Sequence, residues 1–284
     1  MKSFINITRR YKLIKIPLVI KKSIQYSFSI ITGISTIAGI WGYTLKDINS
    51  DWKWWQCGII LFIIFTILSI ILGVIINKRK HKSYSTTING ISVEIKVGDI
   101  FNESGLKIIP FNERFDTKVD DVIIAHNSLN GKMIDNYVTD IDSLKLRIQE
   151  AKIEDSLFKP KSVKGKDVYP LGRIIKYEDF LMLAFSHFNE QNNAYIKIGE
   201  YEQLLIRMWA EIRRVYAAQP IVIPLLGGGI TTIEGISNKN YTDFLKCILC
   251  TLRISKFQSE QGIKIVLSQD SIEKIDMNVI KEEF

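Results

Sequence analysis

The hydrophobic and polar positions divide the chain into two parts of different character. Ile24 to Leu45 is a run of 22 residues without a formal charge, and Trp54 to Ile76 is a second such run of 23 residues. A bilayer core of about 30 Å is crossed by about 20 helical residues, so each run is long enough to span it. The pattern predicts a transmembrane helical hairpin over residues 24–76.

The two apolar runs differ in composition. The second is rich in Ile, Leu and Phe on every face, which is typical of a helix in contact with lipid. The first contains small residues that let helices approach closely in a membrane, namely Gly33, Ser35, Thr36, Gly39 and Gly42. The first helix is therefore expected to contact another helix or face a pore. Simple membrane tolerance of small residues is the alternative.

Beyond residue 87 the pattern changes. Short apolar runs alternate there with segments whose apolar residues recur at helical spacing. Residues Ile91–Gly98 alternate as a strand does, and Tyr195–Ala218 reads as a long amphipathic helix. Further strands are predicted at Leu106–Phe111, Phe180–Phe188, Ile221–Leu226 and Lys264–Ser268, and further helices at Ile141–Ile153, Asn240–Ser255 and Met277–Glu283. Alternating strands and helices predict a layered α/β domain with a mixed, mostly parallel sheet over residues 88–284, after a polar linker at 77–87.

The formal net charge of +8 is concentrated beside the predicted hairpin. Residues 1–22 carry seven basic and no acidic side chains, and residues 77–82 carry four basic ones. By the positive-inside rule, the basic N-terminal segment 1–23 and everything after the hairpin lie in the cytoplasm. From Ser83 onward there are 25 basic and 28 acidic residues, so this domain has a charge of −3 and is not expected to bind nucleic acid.

The strongest local motif follows a predicted strand. Ile221–Leu226 runs into a glycine loop, which we define as Gly227, Gly228, Gly229, Ile230 and Thr231. Glycines at the carboxyl end of a strand let backbone N–H groups converge on an anion, and ligands of open α/β sheets bind at that position. A phosphate-binding loop is one interpretation and a flexible turn is the other. No Lys follows as in a P-loop, and the G-x-G-x-x-G fingerprint of dinucleotide-binding folds is absent.

Other polar groups follow predicted strands. Asp99 and Ile100 end the first strand, Asn112, Glu113 and Asp116 follow the next, and Ser128–Gly131 is a turn able to present N–H groups. Each alone is an ordinary turn, but together they suit a nucleotide with a diphosphate. The sequence offers no metal or catalytic cluster, because its three His are scattered and Cys247 and Cys250 lie within one helix.

The order of these motifs resembles that of a macro domain, a three-layer α/β/α fold that binds ADP-ribose. The resemblance implies that Asp99 reads the adenine amine beside the Ile100 backbone. Two loops would hold the diphosphate, the first formed by Ser128, Leu129, Asn130 and Gly131 and the second by Gly227, Gly228, Gly229, Ile230 and Thr231. Asn112, Glu113 and Asp116 would then read the distal ribose and its substituent.

The whole architecture, from the apolar hairpin to the Pro224–Gly229 segment, more closely resembles the transmembrane–macro effectors of type II Thoeris anti-phage defence. The resemblance implies a TIR-domain partner that consumes NAD and releases an ADP-ribose derivative, with histidine-ADP-ribose as the expectation. It also implies a homo-oligomer that disrupts the bacterial inner membrane and causes cell death or growth arrest.

In this interpretation the chain is a receptor and effector without a cofactor or catalytic residue. The alternative is a membrane-anchored ADP-ribosyl hydrolase, and a third possibility is a tethered scaffold with a vestigial pocket. Macro-domain hydrolases have an Asn-Ala-Ala-Asn turn, whereas this chain has Phe111-Asn112-Glu113 followed by the basic Arg114. This departure favours binding over catalysis.

Overall fold

The computed structural model describes residues 18–43, 47, 51, 53–80, 83–154, 158–163 and 165–284. Most of the predicted basic segment 1–23 and most of the connection between the two apolar runs lie outside the described residues. The chain divides into two compact units, residues 1–81 and residues 82–284. Each unit is therefore described by itself.

The first unit contains two helices that pack against each other, α1 (Leu18–Ile40) and α2 (Trp54–Lys80). Within α2, the 20 residues from Trp55 to Val74 have a mean hydropathy of 2.9 and are long and apolar enough to cross a membrane. Among the described residues, α2 is the one helix that meets this criterion. The predicted hairpin of two spans is thus supported for its second helix.

Small residues form part of the contact between these helices, but they are not the glycines that the sequence suggested. Ser23 and Ser27 of α1 are buried, and a Cβ added to Gly73 of α2 would lie 3.7 Å from the Ser23 Oγ. A Cβ added to Gly33 or Gly39 would meet no described atom within 4 Å. The glycines of α1 therefore do not contact α2.

The second unit is built on a nine-stranded sheet. Its central strands run in the order β2 (Ile91–Val97), β11 (Ile263–Leu267), β9 (Ile221–Pro224), β3 (Leu106–Asn112) and β7 (Phe180–Phe188), all parallel. The edges add β1 (Ser83–Ile88) beside β2 and, beyond β7, β8 (Ala194–Lys197) and β10 (Thr232–Glu234), while β6 (Ile174–Tyr177) also pairs with β7. Pairs β1–β2, β6–β7 and β7–β8 are antiparallel, so the sheet is mixed and mostly parallel, as predicted. A separate hairpin joins β4 (Lys161–Val163) to β5 (Lys166–Val168).

Alternating side chains of the sheet feed two cores, one on each face. On β3, Ile108 belongs to one apolar cluster and Ile109 to the other, because successive strand residues point to opposite faces. The first face is covered by α5 (Ile198–Val215), α6 (Tyr241–Ser255), α7 (Gln269–Glu273) and α8 (Met277–Glu283). The second is covered by α3 (Leu129–Tyr137) and α4 (Ile141–Glu150). This confirms a three-layer α/β/α domain.

The structure differs from the sequence prediction at the start of this domain. A linker was predicted at residues 77–87, but α2 continues to Lys80 and β1 begins at Ser83. The segment from Ser83 to Ile88 is polar and β-branched, and it pairs along its whole length with β2 through a turn at Asn89–Gly90. An edge strand with one solvated side needs no long apolar run, which is why hydrophobic patterning did not reveal it.

Candidate functional site

A cavity of about 300 Å³ lies at the carboxyl ends of the adjacent strands β9, β3 and β7. It is lined by eight residues that the sequence had singled out, namely Asn112, Ser128, Leu129, Asn130, Gly227, Gly229, Ile230 and Thr231. These residues come from three separate segments of the chain. The structure therefore brings both predicted phosphate loops and one end of β3 to a single cavity.

The glycine loop presents unused backbone donors to this cavity. Gly227 has a φ of +88°, a conformation that favours glycine, and Gly228 N donates to Leu225 O at 3.2 Å. The N–H groups of Gly229 and Ile230 donate to no group among the described residues. The loop thus keeps two donors for an anion.

Side chains from the segment that follows hold the glycine loop in place. The Tyr241 hydroxyl donates to Gly228 O at 3.0 Å, and the Lys239 ammonium donates to Gly229 O. Partial burial lowers the pKa of Lys239 from its ordinary value. The carbonyl groups of Gly228 and Gly229 are therefore held by these supports, and the N–H groups of Gly229 and Ile230 stay without a partner among the described residues.

The first predicted phosphate loop proves to be the beginning of a helix. Ser128 caps α3, and its Oγ accepts a hydrogen bond from Gly131 N at 3.1 Å. The prediction of a turn at 128–131 was wrong, because α3 begins at Leu129 with Ser128 as its N-cap. This short helix has too few regularly spaced apolar residues for the hydrophobic pattern to reveal it. The first N–H groups of a helix lack partners within it and favour anions, so Leu129 and Asn130 have the character of an anion site.

Gly131 has a packing role rather than a place in the cavity lining. A Cβ at this position would lie 2.2 Å from the Ala125 carbonyl oxygen, which is far closer than atoms can approach. Ala125 itself lines the cavity. Glycine at 131 therefore lets α3 approach the loop that forms the cavity wall. Gly228 has a comparable role, since its Cβ would crowd Leu225 and Tyr241.

A tight turn at the end of β3 comprises residues 112–116, and we call it the Asn112 turn. Most of the hydrogen-bonding groups of the Asn112 side chain have partners within this turn. Its Oδ1 accepts from Arg114 N at 3.0 Å and Asp116 N at 3.2 Å, and its Nδ2 donates to Asp116 Oδ2 at 2.9 Å. Phe115 takes a positive φ of 52° within this turn. Asn112 lines the cavity with one N–H of its amide uncommitted, whereas Asp116 lies outside the cavity lining.

Glu113 is buried and paired with a histidine instead of lining the cavity. Its carboxylate contacts His187 Nδ1, while His187 Nε2 lies 3.4 Å from Glu200 Oε1. The hydrogen bond to Glu113 raises the pKa of His187 above its ordinary value. This pair was not predicted, because its members are 74 positions apart and no local motif joins them.

The residues expected to read adenine lie outside the cavity lining. Asp99 caps a short 3₁₀ turn, where its Oδ1 accepts from Phe101 N at 3.1 Å. Ile100 is buried among the apolar side chains of the second face. Asp99 and Ile100 are therefore not among the residues that line this cavity.

Several wall residues of the cavity were not predicted. Phe185, Ser186 and Phe188 at the end of β7 line it, together with residues 123–125. The latter belong to a loop that Asp120 organises by accepting from Val122 N at 3.0 Å and Ile123 N at 2.7 Å. The hydrogen bond to Ile123 N is the main reason that the pKa of Asp120 falls to about 2. Because β9, β3 and β7 are adjacent and parallel, the end of β7 must lie beside the ends of β9 and β3. The sequence alone did not indicate this neighbour, since no motif marks the end of β7.

The fold and the family match together define the class of the domain. A family model of the macro domain of the Thoeris protein ThsA matches residues 93–268, so this three-layer α/β/α domain with a mixed sheet is a macro domain. The chain belongs to the ThsA family of Thoeris proteins. It is 35% identical over 244 residues to a Thoeris protein ThsA of Bacillus amyloliquefaciens (strain Y2), which covers 80% of each chain.

Solved structures of a macrodomain from Oceanobacillus iheyensis are also similar to this chain. A variant with ADPR superposes with a TM-score of 0.47, and the protein with ADP superposes with a TM-score of 0.46. Each is 17% identical to this chain, and each match covers 71% of this chain and 98% of the solved one.

Proposed function

We propose that the chain is a receptor and membrane effector whose macro domain binds an ADP-ribose-derived signal. The single observation that carries the proposal is the cavity that joins the glycine loop to the first turn of α3. Backbone N–H groups at a glycine-rich loop and at a helix N-terminus are the donors that proteins commonly use for phosphate. Two such groups around one cavity suit a diphosphate.

Recognition in this proposal depends on neutral donors. The domain has 25 basic and 28 acidic residues, so its overall field does not attract an anion. Local N–H groups at Gly229, Ile230, Leu129 and Asn130 must therefore hold the diphosphate. The apolar wall formed by the end of β7 would pack against a sugar or base.

The arrangement near Asn112 favours binding over hydrolysis. The Asn112 Oδ1 already accepts two backbone hydrogen bonds, and the Glu113 carboxylate is engaged with His187. Both groups therefore support the turn and sheet. We propose that the domain retains the nucleotide without cleaving it and needs no cofactor.

Family membership and the apolar first unit support a proposal for the signal and its consequence. In this proposal the ligand is histidine-ADP-ribose, made from NAD by a TIR-domain partner. Binding favours a homo-oligomer, and the helices of the first unit, inserted in the bacterial inner membrane with both termini cytoplasmic, then disrupt it. The apolar α2 supports the membrane part of this proposal. A ligand can drive assembly only if it binds the assembled state more tightly.

Calorimetry on the full chain with ADP-ribose and its histidine conjugate tests the binding step. Gly229 lines the cavity, and a Cβ there meets no described atom within 4 Å, so Gly229→Trp fills the cavity without a backbone clash. We expect this variant to bind at least about 100-fold more weakly. The matched control is Gly199→Trp, since Gly199 has open space as well but lies outside the cavity lining.

Two outcomes would contradict the proposal. Equal binding by Gly229→Trp and the parent would show that the ligand lies elsewhere. Release of ADP-ribose from a modified protein substrate, at a rate that Asn112→Ala abolishes, would instead establish the hydrolase alternative.

A further inference from the structure

The Asn112 turn borders a second recess that the proposed signal site does not include. Asn112 lines the cavity, but Arg114 and Asp116 line a recess of about 330 Å³ whose other walls come from α4 and from the β4–β5 hairpin with the residues after it. We call this second recess the basic pocket. Lys145, Lys152, Lys166 and Asp167 also line it.

Arg114 lines this pocket, and its side chain has no acceptor among the described residues. Its Nε is buried and has no hydrogen-bond partner, and no ion pair or hydrogen bond of its guanidinium occurs among the described residues. Every other arginine whose side chain is described donates at least one hydrogen bond, as Arg147, Arg173, Arg207, Arg213, Arg214 and Arg253 show. A buried, unpaired donor is costly, so Arg114 is poised for an acceptor that the chain does not supply.

The other charges of the basic pocket leave an excess of positive charge. Lys152 pairs with Asp167, and Lys145 pairs at 3.0 Å with Asp142. The Asp116 carboxylate accepts from Asn112, which fixes it within the turn. Lys166 is exposed and, like Arg114, makes no ion pair with a described residue.

We propose that the basic pocket is an oxyanion site that takes a phosphate group, with Arg114 as its principal ligand and Lys166 as the second. A guanidinium presents a planar fork of donors that matches phosphate oxygens, and an ammonium adds a point charge. The pocket is large enough for a phosphate that carries a small organic group. Such a group can come from a free phosphate compound or from a lipid headgroup.

Calorimetric titration of inorganic phosphate into the full chain in detergent micelles, at constant ionic strength, tests this site. ADP-ribose at high concentration is included to fill the cavity at the glycine loop. We expect Arg114→Gln to weaken phosphate binding at least tenfold and Lys166→Gln to weaken it a few-fold. Arg213→Gln is the matched control, because Arg213 is exposed on α5 and lies outside the pocket.

A second arm identifies the source of the phosphate. Dihexanoyl phosphatidylglycerol is added in place of inorganic phosphate, with dihexanoyl phosphatidylcholine as the neutral control. Arg114-dependent binding of the anionic lipid supports a headgroup, and Arg114-dependent binding of inorganic phosphate alone supports a free compound.

The proposal is wrong if the parent binds neither probe, or if Arg114→Gln binds both as the parent does. Lys166→Gln keeps the test valid should Arg114→Gln fail to fold. Loss of phosphate binding in Gly229→Trp but not in Arg114→Gln would assign the phosphate to the cavity. That result would overturn the basic pocket while leaving the proposed signal site intact.

Discussion

At the scale of single residues, the pair formed by the half-buried His187 and the buried Glu113 makes the stability of the domain depend on pH. Folding raises the pKa of His187 through its hydrogen bond to Glu113, so the pair stabilises the fold fully below the ordinary histidine value of about 6.5. The contribution is lost as the pH rises through the raised pKa. The stability of the parent chain should therefore fall as the pH rises from about 6.5 through the raised pKa of His187.

His187→Gln removes the titrating group, and we expect its melting temperature to change less than that of the parent between pH 6 and pH 9. Thermal unfolding followed by tryptophan fluorescence measures this, because Trp209 is buried in the core. His126→Gln is the matched control, since His126 pairs with Asp135 at an exposed position. Parallel pH profiles for the parent and His187→Gln would refute the assignment.

Single residues also show how far the sequence located the cavity. Gly227, Gly229 and Asn112 were selected from strand–turn patterns, and the parallel sheet brings them to one cavity. Glu113 and Asp116 were selected by the same pattern, but hydrogen bonds to His187 and to Asn112 direct them elsewhere. A pattern locates a strand end, whereas the direction of each side chain depends on partners distant in the sequence.

At the scale of elements, the cavity depends on how closely α3 approaches the loop at Ala125. Gly131→Ala would place a Cβ 2.2 Å from the Ala125 carbonyl oxygen, so α3 or the loop must move. We expect a loss of about 1–3 kcal/mol of unfolding free energy, as for other overpacking changes. Nucleotide binding should weaken as well, because Ser128, Leu129 and Asn130 move with α3.

Denaturant unfolding and calorimetry on the same preparations measure both effects. Gly199→Ala is the matched control, since its Cβ meets open space in α5 and alanine favours a helix by up to about 1 kcal/mol. A Gly131→Ala variant as stable as the parent would show that the contact relaxes without cost. Such a result would remove the structural reason for glycine at this position.

Elements with strong periodicity were predicted, and those defined by caps or pairing were not. The strand at Phe180–Phe188 and the helix that ends at Ser255 were predicted to within a residue at each end. The helix α3 was missed because its signal is the Ser128 cap rather than an apolar stripe. The long helix was predicted to begin at Tyr195, but Ala194–Lys197 form the strand β8 and α5 begins at Ile198. These four residues form a strand because they pair with β7 and β10, and the local sequence does not indicate this pairing.

At the scale of the whole molecule, charge and hydropathy separate two parts of the chain. The basic excess lies beside the two apolar runs near the N-terminus, and the macro domain is mildly acidic. A mildly acidic domain that binds an anion must use local donors, which is the role proposed for the glycine loop and for the basic pocket. The net charge of +8 therefore describes the surroundings of α2 rather than the ligand site.

A charge placed at the centre of α2 tests the proposed membrane role of this helix. Ile64 lies near the middle of the apolar stretch Trp55–Val74 and is exposed within the unit. A lysine near the centre of a spanning helix costs about 2.5–3.5 kcal/mol on insertion, so Ile64→Lys should shift much of the protein out of the carbonate-resistant membrane fraction. Its matched control is Ile254→Lys, because Ile254 is an exposed residue of α6 in the macro domain. Equal membrane fractions for the two variants would show that α2 does not anchor the chain, whereas a selective loss in Ile64→Lys with unchanged ADP-ribose binding would separate membrane insertion from signal recognition.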